Sequence, residues 1–147
     1  MGHALTTALL HSIEDTITHF DPEVIYAFLS LENLHLNCKD IIKLHRSGVY
    51  NQTGNYFVTY MQFCETFKID SADKHKVVLS QLFFNAIRSR DLIVDKDGYN
   101  NRKQNESQYA SVFVLHLSLI ILSTSTTFAD KCKATFELFN FDKRYVY

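Results

Sequence analysis

Apolar residues recur at three- and four-residue spacings along most of this chain, a pattern that predicts helices rather than strands. The first apolar stripe lies between Leu5 and Phe20. A second begins after Asp21-Pro22, where a capping residue and a proline open a helix. A third predicted helix covers 40–45 and ends at Gly48.

The remainder of the chain continues this alternation of apolar helices and polar connections. The predicted segments are, in chain order, a loop over 47–55, a helix from Thr59, a long helix opened by Asp70-Ser71 with Val77, Val78, Leu82, Phe83, Ala86 and Ile87 on its buried side, a polar loop over 91–108, a buried helix over 108–123, and a last helix opened by Thr127 with Asp130. The organisation is helix–loop–helix, repeated.

Composition supports an all-α fold in a single helical domain over 1–147. The chain is 46% hydrophobic and 14% aromatic, enough to bury a core. It contains only 4 glycines and 1 proline, which is few for the many turns of an all-β protein.

Charge and cysteine usage exclude several classes of function. The net charge is −1 and the 15 basic residues are dispersed, so we expect no nucleic-acid partner. The 3 cysteines lack metal-finger spacing and the amino terminus lacks a secretory pattern, which predicts reduced thiols and a cytoplasmic protein. The most apolar run, 112–122, is shorter than the roughly 20 residues of a membrane span. No nucleophile-and-base pattern indicates an enzyme.

The polar loop over 91–108 contains the residues that suit calcium best, because this ion takes about six to eight oxygen ligands. A frame starting at Asp95 places Asp97 third and Glu106 twelfth, but Tyr99 falls fifth. A frame with Gly98 sixth loses both end ligands. The alternative interpretation of this stretch is a solvated insertion without a ligand.

The carboxy-terminal segment carries a more specific signal. Residues 129–142 combine an acidic-lysine start with a Phe-rich end, and they resemble the entering helix of an EF-hand. The resemblance implies Asn140 and Asp142 as the first and third ligands of a calcium loop. Cations and a tyrosine at 143–145 replace the usual acid-and-glycine core, so 127–147 is expected to be an incomplete terminal EF-hand.

Other segments resemble the same family in the same order. Tyr60 to Asp70 is similar to the linker between hands in the calaxin-like group, which is associated with ciliary dynein docking. Thr18-His19-Phe20 with Glu23-Val24 is similar to that group's N-terminal helix pair. The resemblance implies a non-enzymatic calcium sensor or adaptor with degenerate loops, located in the cytoplasm or in cilia and flagella. Its partner would be an amphipathic helix, an axonemal or dynein-associated protein, or a second copy of the chain.

The amino terminus matches a lipidation pattern. Met1-Gly2 with Thr6 fits the myristoylation motif, so Gly2 is a candidate for acylation and membrane contact is expected only in an acylated form. The alternative is an ordinary start to a capped helix.

A second class of function fits the same helical pattern. An unrelated all-helical interaction or scaffold protein would bind no calcium and would have no short β-pairing between loops. An EF-hand-type protein would have that pairing at a central hydrophobic position of each loop, to which Val146 is nearest in the last hand.

Overall fold

The computed structural model describes residues 20–48, 50, 57–94 and 109–141. These ranges are mostly helical, which confirms the expected helical class, with a small antiparallel sheet added to it. The elements, in chain order, are α1 (Pro22–Ser30), a 3-10 turn (Glu32–Leu34), α2 (Cys38–Ser47), β1 (Phe57–Thr59), α3 (Tyr60–Thr66), α4 (Lys74–Val94), β2 (Tyr109–Ser111), α5 (Val112–Leu122) and α6 (Phe128–Phe141). The stripe between Leu5 and His19 lies outside the described residues.

Local signals set the bounds of the first helices. α1 begins at Pro22 behind Asp21, as predicted. α2 begins earlier than predicted because the Asn37 side chain accepts a hydrogen bond from the Asp40 amide at 2.8 Å. It ends at Gly48, whose φ of 62° lies in the left-handed region that glycine adopts without a Cβ clash.

The predicted opening of α4 at Asp70 is wrong. The Asp70 carboxylate instead accepts a hydrogen bond from the Ala72 amide at 2.9 Å, which makes a local turn. The helix starts at Lys74, where the Asp73 carboxylate accepts a hydrogen bond from the Lys76 amide at 3.2 Å. Aspartates at both positions can cap, and the second one does.

The far end and one face of α4 also differ from the prediction. The helix continues to Val94, so the first residues of the expected polar loop over 91–108 are helical. Val78 was expected on the buried side but is 58% exposed, whereas Phe83 and Ile87 are fully buried. The apolar stripe is therefore narrower than the spacing of all apolar residues suggested.

The segment predicted as a helix from 108 begins as a strand. β2 pairs antiparallel with β1, with Phe57 opposite Ser111, Val58 opposite Ala110 and Thr59 opposite Tyr109. Val58 and Ala110, the central pair, are both 0% exposed. The extended backbone of β2 forms its hydrogen bonds with a segment that is distant in the sequence. The helical periodicity of the residues that follow gives no sign of this pairing.

The sheet joins two units of the same organisation. We call α2, β1 and α3 the first unit, and α4, β2 and α5 the second unit. α2 packs against α5, and α3 packs against α4, so the helices of the two units pack against each other as well as the strands. α1 packs on α4, while α6 packs on α2 and α5.

Apolar burial holds these elements around one core. The largest fully buried side chains come from every helix: Phe28, Leu31, Leu34, Ile41, Phe63, Phe83, Ile87, Leu115, Leu119, Ile120 and Leu138. Phe63 of α3 contacts other aromatic rings, with centroid distances of 5.2 Å to Phe67, 6.2 Å to Phe83 and 5.5 Å to Phe84. This aromatic cluster ties α3 to α4.

Candidate functional site

The residues predicted to carry function lie mostly outside the described part of the chain. Those outside it are Gly2, Asp95, Asp97, Glu106, Asp142 and Val146. Asn140 is described, and it is exposed in the last turn of α6. Among the described residues, no three His, Cys, Asp or Glu side chains come together in a group that could hold a metal ion.

The junction of β1 and α3 instead contains a built arrangement of polar side chains. Thr59 is the N-cap of α3, and its hydroxyl accepts a hydrogen bond from the Gln62 amide at 3.1 Å. The Gln62 side-chain carbonyl accepts a hydrogen bond from the Thr59 amide at 2.9 Å. Two amides that the helix leaves unpaired are thereby satisfied reciprocally, which is a complete capping box.

The other end of the Gln62 amide reaches back along the chain. Its Nε2 donates a hydrogen bond to the Tyr50 carbonyl oxygen at 2.5 Å. The single side chain therefore joins the residue that follows α2 and the first turn of α3. We call this contact between Gln62 and Tyr50 the closure of the first unit.

Tyr50 is held at its other end by two histidines. Its hydroxyl lies 2.9 Å from His116 Nε2, and His116 Nδ1 lies 2.8 Å from His45 Nδ1. His45 comes from α2 and His116 from α5, so the chain of contacts crosses the interface between the two units. The His45 and His116 rings meet edge to face with centroids 5.0 Å apart.

Burial controls the protonation of this cluster. Burial, followed by the neighbouring His45, holds the pKa of His116 well below its ordinary value of 6.5. Burial also raises the pKa of the Tyr50 phenol far above its usual range. At neutral pH the cluster therefore contains a neutral imidazole at His116 and an intact phenol at Tyr50.

The neutral imidazole of His116 and the buried phenol proton together favour one direction for these protons. In the favoured arrangement the Tyr50 hydroxyl donates to His116 Nε2, and His116 Nδ1–H donates to His45 Nδ1. In this arrangement both close contacts are hydrogen bonds, and the buried phenol proton takes part in one of them. The opposite direction would take the phenol proton out of the Tyr50–His116 contact, which costs free energy for a buried donor.

The second unit has an equivalent cap with different chemistry. Ser111, like Thr59, follows the central residue of its strand, and its hydroxyl accepts a hydrogen bond from the Val114 amide at 3.2 Å. Val114 occupies the position of Gln62, but its side chain has no polar group. The side-chain closure of the first unit therefore has no counterpart at this position of the second.

Sequence reasoning missed this cluster although two signals were present. Thr59-x-x-Gln62 fits the capping-box pattern of a hydroxyl residue followed three positions later by glutamine. His116 lies inside the apolar run 112–122, where a histidine needs a hydrogen-bond partner. Neither signal identifies Tyr50, which only the fold brings to His116.

An apolar stripe lies on the surface of α6. Phe128 is 58% exposed and Phe136 is 42% exposed, with the half-buried Cys132 between them at four-residue spacing. Residues at this spacing share one face of a helix. No helix within the described ranges is long and apolar enough to cross a membrane.

Comparison with known proteins adds no family to this description. No family model matches the chain, and no curated protein or solved structure matches it. The class that the geometry itself defines is a pair of helix–strand–helix units joined by a short antiparallel sheet.

Proposed function

We propose that this chain is a non-enzymatic EF-hand-type adaptor with degenerate loops that acts through protein–protein contact. One observation carries the proposal: the antiparallel pairing of β1 with β2, centred on Val58 and Ala110, between two helix–strand–helix units. Paired loops of this kind are what the EF-hand resemblance implies, and the competing unrelated bundle would not have them. The first unit, in this proposal, is closed by Gln62 rather than by calcium.

The cap of α3 supplies a frame for the first loop. An EF-hand loop places ligands at its ninth and twelfth positions, three residues apart, as Thr59 and Gln62 are. Counting back in the sequence, the first, third, fifth and sixth positions are Asn51, Thr53, Asn55 and Tyr56. None of these is a carboxylate, and the sixth is not the expected glycine. Few ligands for a cation remain in this frame.

The same frame applied to the second unit excludes calcium more strongly. With Ser111 ninth, Lys103 is first and Val114 is twelfth. A cation at the first position repels calcium, and valine provides no oxygen at the last. Asp95 and Asp97 precede the first position in this frame, so they would not be ligands of the paired loop.

The proposal is tested by rebuilding a calcium loop in the full-length protein. The variant carries Asn51→Asp, Thr53→Asp, Asn55→Asp, Tyr56→Gly and Gln62→Glu, which restores the acids and the glycine of the frame. Calcium titration by calorimetry should give saturable heat for this variant and none for the natural sequence at micromolar calcium. A matched control moves the four new acids out of frame, as Gln52→Asp, Gly54→Asp, Tyr56→Asp and Met61→Glu.

Each outcome decides between the two classes. Calcium binding by the in-frame variant, with none by the shifted control, supports EF-hand-type units. Absence of binding in both folded variants favours the unrelated helical bundle. Micromolar binding by the natural sequence, abolished by Asp95→Ala or Asp142→Ala, would instead establish a retained sensor.

The surface of α6 provides the contact region of the proposed adaptor. Phe128 and Phe136 leave apolar area in solvent, which favours an amphipathic partner helix or a second copy of the chain. An axonemal partner follows from the resemblance to the calaxin-like group. Phe136→Ser should weaken self-association, measured by sedimentation velocity, or the affinity for an amphipathic partner helix, measured by titration. Lys133→Ser, an exposed control on the same helix, should leave both unchanged. Equal behaviour of the two variants would remove α6 from the contact region.

A further inference from the structure

The contact between the two imidazoles sets how many protons the buried cluster can hold. A hydrogen bond between His45 Nδ1 and His116 Nδ1, 2.8 Å apart, contains one proton. With both rings neutral, the protons run from Tyr50 to His116 to His45. This arrangement connects α2, the residue before the first loop, and α5.

One added proton can be accommodated by reversing the direction of both contacts. A proton taken from solvent by His45 makes its Nδ1 a donor to His116 Nδ1. His116 then carries its own proton on Nε2, which donates to the Tyr50 oxygen, and the phenol proton turns away from His116. A second added proton would place two N–H groups face to face on adjacent cations, so the contact cannot persist.

The surrounding elements bring few other charges to the pair. α5 has no titratable side chain besides His116. On α2, Arg46 follows His45 and pairs with Glu137 of α6 at 3.7 Å, with both side chains largely exposed. On α6, the Lys131 ammonium donates to a backbone carbonyl of α5, and on α4 Arg88 is half-buried. The described part of these elements therefore adds more positive than negative charge, which does not favour doubly charged imidazoles.

We propose that Tyr50, His116 and His45 form a proton-responsive latch between the two units, which holds α2 against α5 when neutral and opens on double protonation. Opening also affects α3, because the Tyr50 carbonyl accepts the Gln62 side chain that caps that helix. The proton signal passes from the α2–α5 interface through Tyr50 to the Gln62 side chain at the cap of α3. The latch regulates the paired units without calcium and does not rest on the proposed adaptor function.

Linkage gives the expected dependence on pH. The open form binds protons on both histidines below about pH 6.5. It therefore binds two more protons than the closed form while the closed cluster is neutral, and one more once the closed cluster holds its single added proton. As the pH falls, the opening constant therefore rises by up to about 100-fold per unit while the closed cluster is neutral, whereas the opening constant of a cluster with one histidine rises by at most about 10-fold per unit. A pH dependence of the opening constant steeper than one proton therefore distinguishes the pair of histidines from a single histidine.

The test is native-state amide exchange of the full-length protein between pH 7.5 and 5, corrected for intrinsic exchange. The amides of Thr59 and Gln62 report the cap of α3, and the amide of Phe83 reports α4. In the natural sequence, the opening constant at the Thr59 and Gln62 amides should rise more than about 10-fold per unit of falling pH, which is a slope above one proton. The Phe83 amide should remain protected. His45→Gln should have a slope of at most one, and His75→Gln, an exposed histidine on α4, should match the natural sequence.

Tyr50→Phe keeps the test informative where a histidine substitution prevents folding, because it removes only the hydroxyl. It should raise the opening constant at neutral pH by about 5- to 30-fold, as expected for an unpaired buried nitrogen. The proposal is overturned by a slope of one or less in the natural sequence, by Phe83 losing protection together with the cap, or by Tyr50→Phe leaving cap exchange unchanged. A failed calcium-loop variant would leave these results untouched, so the two proposals fail separately.

Discussion

Substitution of Gln62 by glutamate perturbs the closure of the first unit at one atom. The natural side chain donates to the Tyr50 carbonyl at 2.5 Å and accepts from the Thr59 amide at 2.9 Å. Glutamate has the same length and preserves the acceptor for Thr59. It loses the donor and sets a negatively charged oxygen against the Tyr50 carbonyl.

The expected cost follows from these two changes. A hydrogen bond contributes about 0.5–1.5 kcal/mol net, and an unpaired buried polar group costs about 1–3 kcal/mol. Because Gln62 is only partly buried, water relieves part of that penalty. We therefore expect Gln62→Glu to lower the free energy of unfolding by about 1–2 kcal/mol without calcium. Gln62→Met, which gives up both hydrogen bonds, should lose at least as much.

The assay is urea unfolding followed by far-UV circular dichroism at pH 7.5 in the presence of a chelator. Gln81→Glu, at an exposed position of α4, is the matched control and should change the free energy of unfolding by less than about 0.5 kcal/mol. Equal stabilities of the Gln62→Glu and Gln81→Glu variants would refute the closure as a stabilising contact. A changed urea dependence would instead indicate a different compactness of one state.

Three further predictions concern the core. Because burial depresses the pKa of folded His116 below its ordinary 6.5, the unfolded chain binds the extra proton, so stability is full above about pH 6.5 and falls as the pH decreases; a flat profile of unfolding free energy between pH 7.5 and 5.5 would contradict this. Phe63→Ala removes a fully buried ring that contacts other aromatic rings and should cost about 3–5 kcal/mol in thermal unfolding, and a loss below 1 kcal/mol would show that the site refills. The buried Ser118 hydroxyl has no hydrogen-bond partner among the described residues, so Ser118→Ala should be neutral or stabilising by up to about 1 kcal/mol in the urea assay, contrary to the destabilisation expected of a bonded hydroxyl.

Elements with complete local signals could be predicted from the sequence. Asp21-Pro22 fixes the start of α1, and Thr127 opens α6 by accepting a hydrogen bond from the Asp130 amide at 3.2 Å. The left-handed Gly48 ends α2 at the predicted residue. In each case the signal is local: the fixed φ of Pro22, the hydroxyl of Thr127, or the freedom of Gly48 to adopt a positive φ, so no tertiary information is required.

The strands and the buried cluster could not be predicted in the same way. β1 and β2 contain three residues each and lie directly before helices, so periodicity extends the helix across β2. Their stability comes from pairing across fifty or more residues of chain. Tyr50 and His116 are likewise 66 residues apart, and their contact depends on how α2 packs against α5.

In the proposed EF-hand-type units, the sheet fixes the ligand frame of the paired loops. A polar stretch with several acids permits more than one ligand frame, and from the sequence alone neither the frame that starts at Asp95 nor the frame with Gly98 sixth has a full set of ligands. The caps remove this freedom, because Thr59 and Ser111 each lie immediately after the buried central pair of the sheet. At the twelfth position of the resulting frame, a carboxylate would suit a cation, whereas the Gln62 amide suits a carbonyl group, and it binds one. In the proposed EF-hand-type unit, Gln62 therefore takes the place of the last calcium ligand and contacts Tyr50 directly. Among the described residues, buried contacts between strands and helices join the two units.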